Sequence, residues 1–159
     1  MATETEKKFL VGGDFRRDIY NSTDIAQGYI CSGAGRSVRI RIRADKGYIT
    51  IKGAPDSTGM SRYEWEKEIP VQDARELMLL TGPGSISKTR HLIKNTDGRH
   101  IWEVDEFHGP LEGLVLAEIE LDDPLEPFDR PEWLGEEVTG NPAYYNSSLA
   151  QLALKIDKA

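Results

Sequence analysis

The chain has 159 residues, enough for one domain with one core, and 30% of them are charged against 38% hydrophobic. Its formal net charge of -7 argues against a general nucleic-acid binder, which needs a basic excess along its surface, but leaves room for a local basic pocket. No stretch approaches the roughly 18 apolar residues that span a bilayer, residues 1–8 lack the apolar core of a signal peptide, and the lone Cys31 excludes an intrachain disulfide, so a reducing, cytoplasmic setting is expected.

In chain order, a strand is expected over Glu4–Val11 and a short helix over Phe15–Tyr20. Strands follow over Gln27–Ser32, Ser37–Ala44 and Tyr48–Lys52, with a tight hairpin at Ala44-Asp45-Lys46-Gly47. Gly33-Ala34-Gly35 reads as a turn, because neither a lysine–serine element nor a helix follows it. A longer loop, Gly53–Gly59, precedes a strand over Ser61–Ile69, and Val71–Leu80 has apolar residues at helical spacing. Three more strands are expected over Ile86–Ile93, His100–Phe107 and Leu114–Leu121, with turns at Asn95–Gly98 and Gly109–Gly113. Pro124–Pro131 reads as irregular. Asn146-Ser147-Ser148 caps a final helix from about Leu149 to Lys155, the whole segment covering about 146–157. Many short strands joined by hairpins, with few helices, predict a mainly β (α+β) fold, an antiparallel sheet or barrel.

Successive side chains on a strand face opposite ways. Glu4, Glu6 and Lys8 therefore share a face, as do Arg39, Arg41 and Arg43, whose neighbours are Val38, Ile40 and Ile42. Glu64, Glu66 and Glu68 repeat the pattern; so do Lys88 and Arg90, Glu103 and Asp105, and Glu118 and Glu120. A solvated outer face is the ordinary explanation of such alternation. Here the charges come as like-signed pairs on almost every strand, whereas solvated faces mix signs. Charged faces turned inward would line a polar tunnel, with the apolar faces outside under covering helices.

That arrangement has electrostatic requirements. Like charges ~4 Å apart repel by about 1 kcal/mol in water and about 4 kcal/mol at an effective dielectric of 20. An acidic group such as Glu4, Glu6, Glu118 and Glu120 then needs cations, and oxygen-only ligands favour Mg²⁺ or Mn²⁺. A basic group of Lys8, Arg39, Arg41, Lys52, Lys88 and Arg90 needs an anion, and the guanidinium fork suits phosphate. Both together suggest a phosphoryl-transfer site.

The segment Glu4-Thr5-Glu6-Lys7-Lys8 resembles the ExExK signature of the CYTH, or triphosphate tunnel metalloenzyme, superfamily. The likeness continues in order through Val38-Arg39-Ile40-Arg41, Thr50-Ile51-Lys52, Arg62-Tyr63-Glu64-Trp65-Glu66, Lys88-Thr89-Arg90, Glu103-Val104-Asp105, Ala117-Glu118-Ile119-Glu120 and Gly135-Glu136-Glu137-Val138-Thr139. It spans nearly the whole chain and is similar to the small bacterial inorganic triphosphatases. The resemblance implies one tunnel domain over residues 1–159, built on an eight-stranded antiparallel β-barrel. It implies that Lys8, Arg39, Arg41, Lys52, Lys88 and Arg90 hold triphosphate oxygens. Glu4, Glu6, Asp105, Glu118 and Glu120 would bind Mg²⁺ or Mn²⁺. Glu64 and Glu66 would help hold a metal or the catalytic water, and Lys88 would assist catalysis. In some members the C-terminal helix plugs one mouth, which would let Lys155 or Lys158 reach inward.

The expected activity is metal-dependent hydrolysis of inorganic triphosphate to diphosphate and phosphate. Nucleoside or thiamine triphosphates, or cyclisation of ATP, are the alternatives within the superfamily, and a non-catalytic polyphosphate binder is the alternative outside it. The substrate is a small molecule, with no nucleic-acid or membrane partner. The oligomeric state stays open, a homodimer included. Arg43, Arg62, Glu68 and Glu103 have the phase to lie at a tunnel mouth. His91, His100 and His108 read as surface or packing residues, Cys31 as a small buried residue, and Trp65, Trp102 and Trp133 as packing beneath covering helices.

Overall fold

In a computed structural model, the chain is described over residues 2–158 apart from Pro83. Its strands are β1 (Thr3–Val11), β2 (Ile19–Gly33), β3 (Arg36–Arg43), β4 (Lys46–Lys52), β5 (Ser61–Ile69), β6 (Ile86–Lys94), β7 (Ile101–Phe107), β8 (Val115–Glu120) and β9 (Leu134–Glu137). The helices are α1 (Val71–Met78) and α2 (Asn146–Lys158). All pairings are antiparallel, in the order β5-β4-β3-β2-β6-β7-β8-β1, and β1 closes on β5 to complete an eight-stranded barrel. Closure is possible because β1 divides its length. Thr3–Thr5 pair with β5, and Glu6–Leu10 pair with β8.

The barrel is polar inside and apolar outside, the opposite of a small barrel filled by a hydrophobic core. Its outward face along β1, β7 and β8 carries Phe9, Trp102, Val104, Ala117 and Ile119, all fully buried. The cover there is not helical. Phe15 and the irregular segment 121–133, through Leu121, Phe128 and Trp133, pack on it. Helix α2 packs on inward-facing side chains at one end of the barrel, where Leu149, Ala150 and Ala153 meet Ile86, Phe107 and Leu116, in phase with Lys88, Asp105 and Glu118, together with Leu111. Helix α1 lies over β3 and β4.

Several expectations are corrected. The Phe15–Tyr20 helix is only a 3₁₀ turn at Arg16–Asp18, because Ile19 and Tyr20 already belong to the 15-residue β2. The short β9, which pairs with β1 through Phe9↔Glu137 and Val11↔Leu134, was not anticipated. Cys31 is exposed, at a shift in the β2–β3 register between Tyr29 and Cys31. Trp65 is exposed on the outer face of β5, whereas Trp102 is buried under the irregular segment, to which the buried Trp133 itself belongs, rather than under helices. Helix α2 starts at Asn146 itself, and Lys155 is exposed rather than turned inward; the Lys158 side chain lies outside the described residues.

Candidate functional site

The inward faces enclose a cavity of about 150 Å³ lined almost entirely by polar atoms. Its basic side comes from β3, β4 and β6. Register sets Arg39 opposite Tyr29 and Thr50, and Arg41 opposite Gln27 and Tyr48, so each guanidinium stands beside polar partners. Arg41 Nε donates to Gln27 Oε1 at 2.9 Å, and Arg39 Nη2 donates to Thr50 Oγ1 at 3.1 Å. The Thr50 hydroxyl donates in turn to Glu66 Oε2 at 2.8 Å. The buried Arg39 Nε has no hydrogen-bond partner among the described residues. Burial first, then the neighbouring Arg39 and Arg90, pull the Arg41 guanidinium down to about 9. Arg39 Nη2 also stands 3.6 Å from Glu66 Oε2, which leaves Arg41 as the guanidinium without a carboxylate partner among the described residues, and a buried cation in that position calls for an anion.

The acidic side comes from β1, β5, β7 and β8. Register places Glu6 opposite Glu120, and Lys8 and Glu103 opposite Glu118. Burial, then the Glu118 and Glu4 carboxylates, push Glu6 well above the usual carboxylate range. Glu120 is also raised, by burial and then by Glu103, Glu4 and Glu118. Glu118 goes the other way, to about 2, because Lys8 and Arg90 outweigh its burial. Lys52 Nζ bridges Glu4 Oε2 at 2.9 Å and Glu64 Oε2 at 3.2 Å. Burial and a hydrogen bond with Glu4 raise Glu64 to about 7, while Lys52 overcomes burial to hold Glu4 low.

A divalent cation fits this donor set. Glu4, Glu6, Glu118 and Glu120 supply oxygen alone, and a hard cation relieves the crowding that raises Glu6 and Glu120. The cage is not assembled in advance. Among the described residues no three carboxylate, imidazole or thiol groups converge as metal ligands; Lys52 occupies Glu4 instead.

Two expected site residues lie behind the lining. Lys88 is fully buried, and its Nζ bonds Asp105 Oδ2 at 2.7 Å. Asp105 is 2% exposed, and Arg90 grips it with Nε on Oδ1 at 2.7 Å and Nη2 on Oδ2 at 2.9 Å. Burial lowers Lys88 to about 7 despite Asp105, and Arg90 and Lys88 hold Asp105 below the usual range against its burial. The other expected residues, Glu4, Glu6, Lys8, Arg39, Arg41, Lys52, Glu64, Glu66, Arg90, Glu118 and Glu120, all line the cavity. So do Arg43, Arg62 and Glu103, whereas Glu68 is exposed and pairs with Lys46 at 3.8 Å.

Sequence reading missed Gln27, Thr50, Tyr145, Asn146 and Ser147. Gln27 and Thr50 share the inward phase of their charged neighbours, a signal that uncharged residues carry weakly. Asn146 read as a helix cap and, within Tyr144-Tyr145-Asn146, as part of the family resemblance, with no role in the site assigned to it. In the structure its Oδ1 accepts from Lys88 Nζ at 3.0 Å and from Gln27 Nε2 at 3.2 Å.

Comparison with known proteins places this geometry. The family model of the CYTH domain matches residues 2–152. The chain is 47% identical over 152 residues to an inorganic triphosphatase of Acetivibrio thermocellus, covering 95% of each sequence. It is 34% identical over 151 residues to an inorganic triphosphatase of Nitrosomonas europaea, covering 93% of this chain and 97% of the relative. A crystal structure of an inorganic triphosphatase superposes with a TM-score of 0.67 at 32% identity, over 92% of this chain and 97% of the other.

Proposed function

The chain belongs to the CYTH domain family, and on that premise we propose that it hydrolyses inorganic triphosphate to diphosphate and phosphate inside its tunnel. The observation that carries the reading is one small cavity that holds uncompensated charge of both signs: Arg41, which has no carboxylate partner among the described residues, and Glu6 and Glu120, which crowd each other and their carboxylate neighbours. A phosphate chain satisfies the first group, and a divalent cation the second.

Lys8, Arg39, Arg41, Lys52 and Arg90 bind the phosphate oxygens and neutralise charge that develops on the leaving diphosphate. Glu66 orients Arg39 through Thr50. Glu64, raised to about 7, exchanges a proton near neutral pH and suits the role of accepting one from the attacking water. Asp105 aligns Arg90 and Lys88. Glu4, Glu6, Glu118 and Glu120 would hold Mg²⁺ or Mn²⁺. When bound, the ion supplies Lewis acidity to a phosphoryl oxygen and makes a ligated water more acidic. A cytoplasmic setting is supported by the single unpaired cysteine; no helix among the described residues is long and apolar enough to cross a membrane.

The test is phosphate release from inorganic triphosphate, ATP and thiamine triphosphate, each with Mg²⁺, Mn²⁺ or EDTA. Inorganic triphosphate should be cleaved fastest, and EDTA should abolish release. Absence of metal-dependent release from all three would overturn the enzyme reading, and faster release from ATP would replace the substrate.

A further inference from the structure

We propose that Asn146, the first residue of α2, is a phosphate-contacting residue of the tunnel, and that Lys88 and Gln27 act on the substrate through it. The inference rests on a triphosphate chain entering this cavity. Lys88 is fully buried and does not line the cavity, whereas Asn146 does, beside Arg41, Tyr145 and Ser147. The atom of Asn146 that faces Lys88 must be the carboxamide oxygen, because an ammonium has only donors. Gln27 confirms the orientation. Its own Oε1 is fixed by Arg41 Nε at 2.9 Å, so its Nε2 is the group that reaches Asn146 Oδ1 at 3.2 Å.

Two donors from buried side chains thus fix the plane of the Asn146 amide. Its oxygen is committed to Lys88 and Gln27. Its Nδ2 has no hydrogen-bond partner among the described residues, on a side chain that borders the basic half of the cavity. An amide whose oxygen accepts two hydrogen bonds, one from a cation, is polarised into a better donor. The two N–H groups of Asn146 then extend the ring made by Arg39 and Arg41, and the buried charge of Lys88 reaches phosphate through the amide rather than by direct contact.

A purely structural role, in which the same bonds only dock α2 on the barrel, makes a different prediction for one substitution. Asn146→Asp has the same shape and keeps oxygens for Lys88 and Gln27, but it has no donor for phosphate. Its added negative charge also repels a phosphate chain, so the separating variant is Asn146→Ala, for which docking alone predicts a lower melting temperature and an unchanged KM. Phosphate contact predicts that Asn146→Asp and Asn146→Ala both raise KM for inorganic triphosphate about 10–100-fold, the scale of a lost hydrogen bond to a charged group. Dissociation constants for inorganic triphosphate without added metal should weaken to match, with melting temperatures kept within a few degrees. Lys88→Met should cost much less in the Asn146→Ala background than in the wild type, as coupled residues do. Wild-type KM and affinity in Asn146→Ala, or full additivity with Lys88→Met, would overturn the inference. If wild-type protein binds inorganic triphosphate and Asn146→Ala binds it about 10–100-fold more weakly, yet no phosphate is released with any metal, the inference holds and the proposed reaction falls.

Discussion

Glu6 shows how one residue can oppose the fold it belongs to. It sits on β1 opposite Glu120 and near Glu118 and Glu4, and burial with these carboxylates raises it well above the usual range. Removing its charge should therefore stabilise the metal-free protein. Glu6→Gln is expected to gain about 1 kcal/mol in EDTA at pH 8, read as a melting temperature a few degrees above wild type. With Mg²⁺ or Mn²⁺ and inorganic triphosphate present the order should reverse, because the variant lacks an oxygen ligand charge and binds the ion more weakly. A lower melting temperature than wild type in EDTA would show that Glu6 is held by its cations, not strained by its neighbours. The charged lining was legible in the sequence because Glu, Lys and Arg on an inward phase stand out against Val and Ile. Asp105 and Lys88 were legible as members of the set but not by depth. Alternation gives the face of a strand and says nothing about how far behind the lining a side chain lies.

At the scale of elements, the β3–β4 hairpin shows what packing adds to local chemistry. The four residues Ala44-Asp45-Lys46-Gly47 read as a turn, yet β4 begins at Lys46 and only Ala44 and Asp45 form the loop, with Ala44 at φ 53°. Gly47 is needed for a different reason, the approach of α1. A Cβ there would meet the Cβ of Ala74 at 2.5 Å, with the carbonyl of Ile69 at 3.2 Å. Gly47→Ala is therefore expected to push α1 off the strand and cost about 1–3 kcal/mol, several degrees in melting temperature. Turnover per folded molecule should hardly change, since Arg39 and Arg41 lie on the opposite face of the sheet. An unchanged melting temperature would mean that α1 yields freely. Most strand positions were readable because alternation is a local signal, and Ser61–Ile69 was placed to the residue, but the first half of β2, residues 19–26, was not read as strand. The ninth strand was not readable: four residues, Leu-Gly-Glu-Glu, carry no period, and only the uncovered edge of β1 gives them a partner.

The molecule as a whole solves a problem that its polar interior creates. A barrel with charges inside must hide its apolar faces outside, and along β1, β7 and β8 the cover is an irregular strap, residues 121–133, not a helix. What fastens the strap is polar. His100 bridges Asp97, at 2.7 Å from Nδ1, and Glu126 on the strap; Asn95 Nδ2 and Thr96 Oγ1 hold Asp129 at 3.0 Å each. Arg99 stands 3.8 Å from the same Glu126 carboxylate. Burial opposes the charge on His100, but hydrogen bonds to Asp97 and Glu126 raise it above 6.5. The carboxylates move the other way. Asp97 is lowered because backbone N–H groups and His100 outweigh its burial, and Glu126 is lowered first by its bond to His100. A raised histidine contributes fully below about 6.5 and loses its contribution as pH climbs through its folded value; lowered carboxylates contribute above about 4.5 and lose it as pH falls. All three charges therefore act together between roughly pH 4.5 and 6.5. The strap should be tightest there and loosen on the alkaline side, exposing Trp102 and Trp133. Denaturation followed by tryptophan fluorescence should show His100→Gln, which has no proton to lose, less stable than wild type at pH 5.5, with the gap between them closing between pH 6 and pH 9. Glu64 and Lys88, which titrate at about 7 in both proteins, shift the two profiles together. Parallel profiles for the two proteins would mean that the strap is held by Phe128 and Trp133 alone, and that the barrel's apolar exterior needs no charge to stay covered.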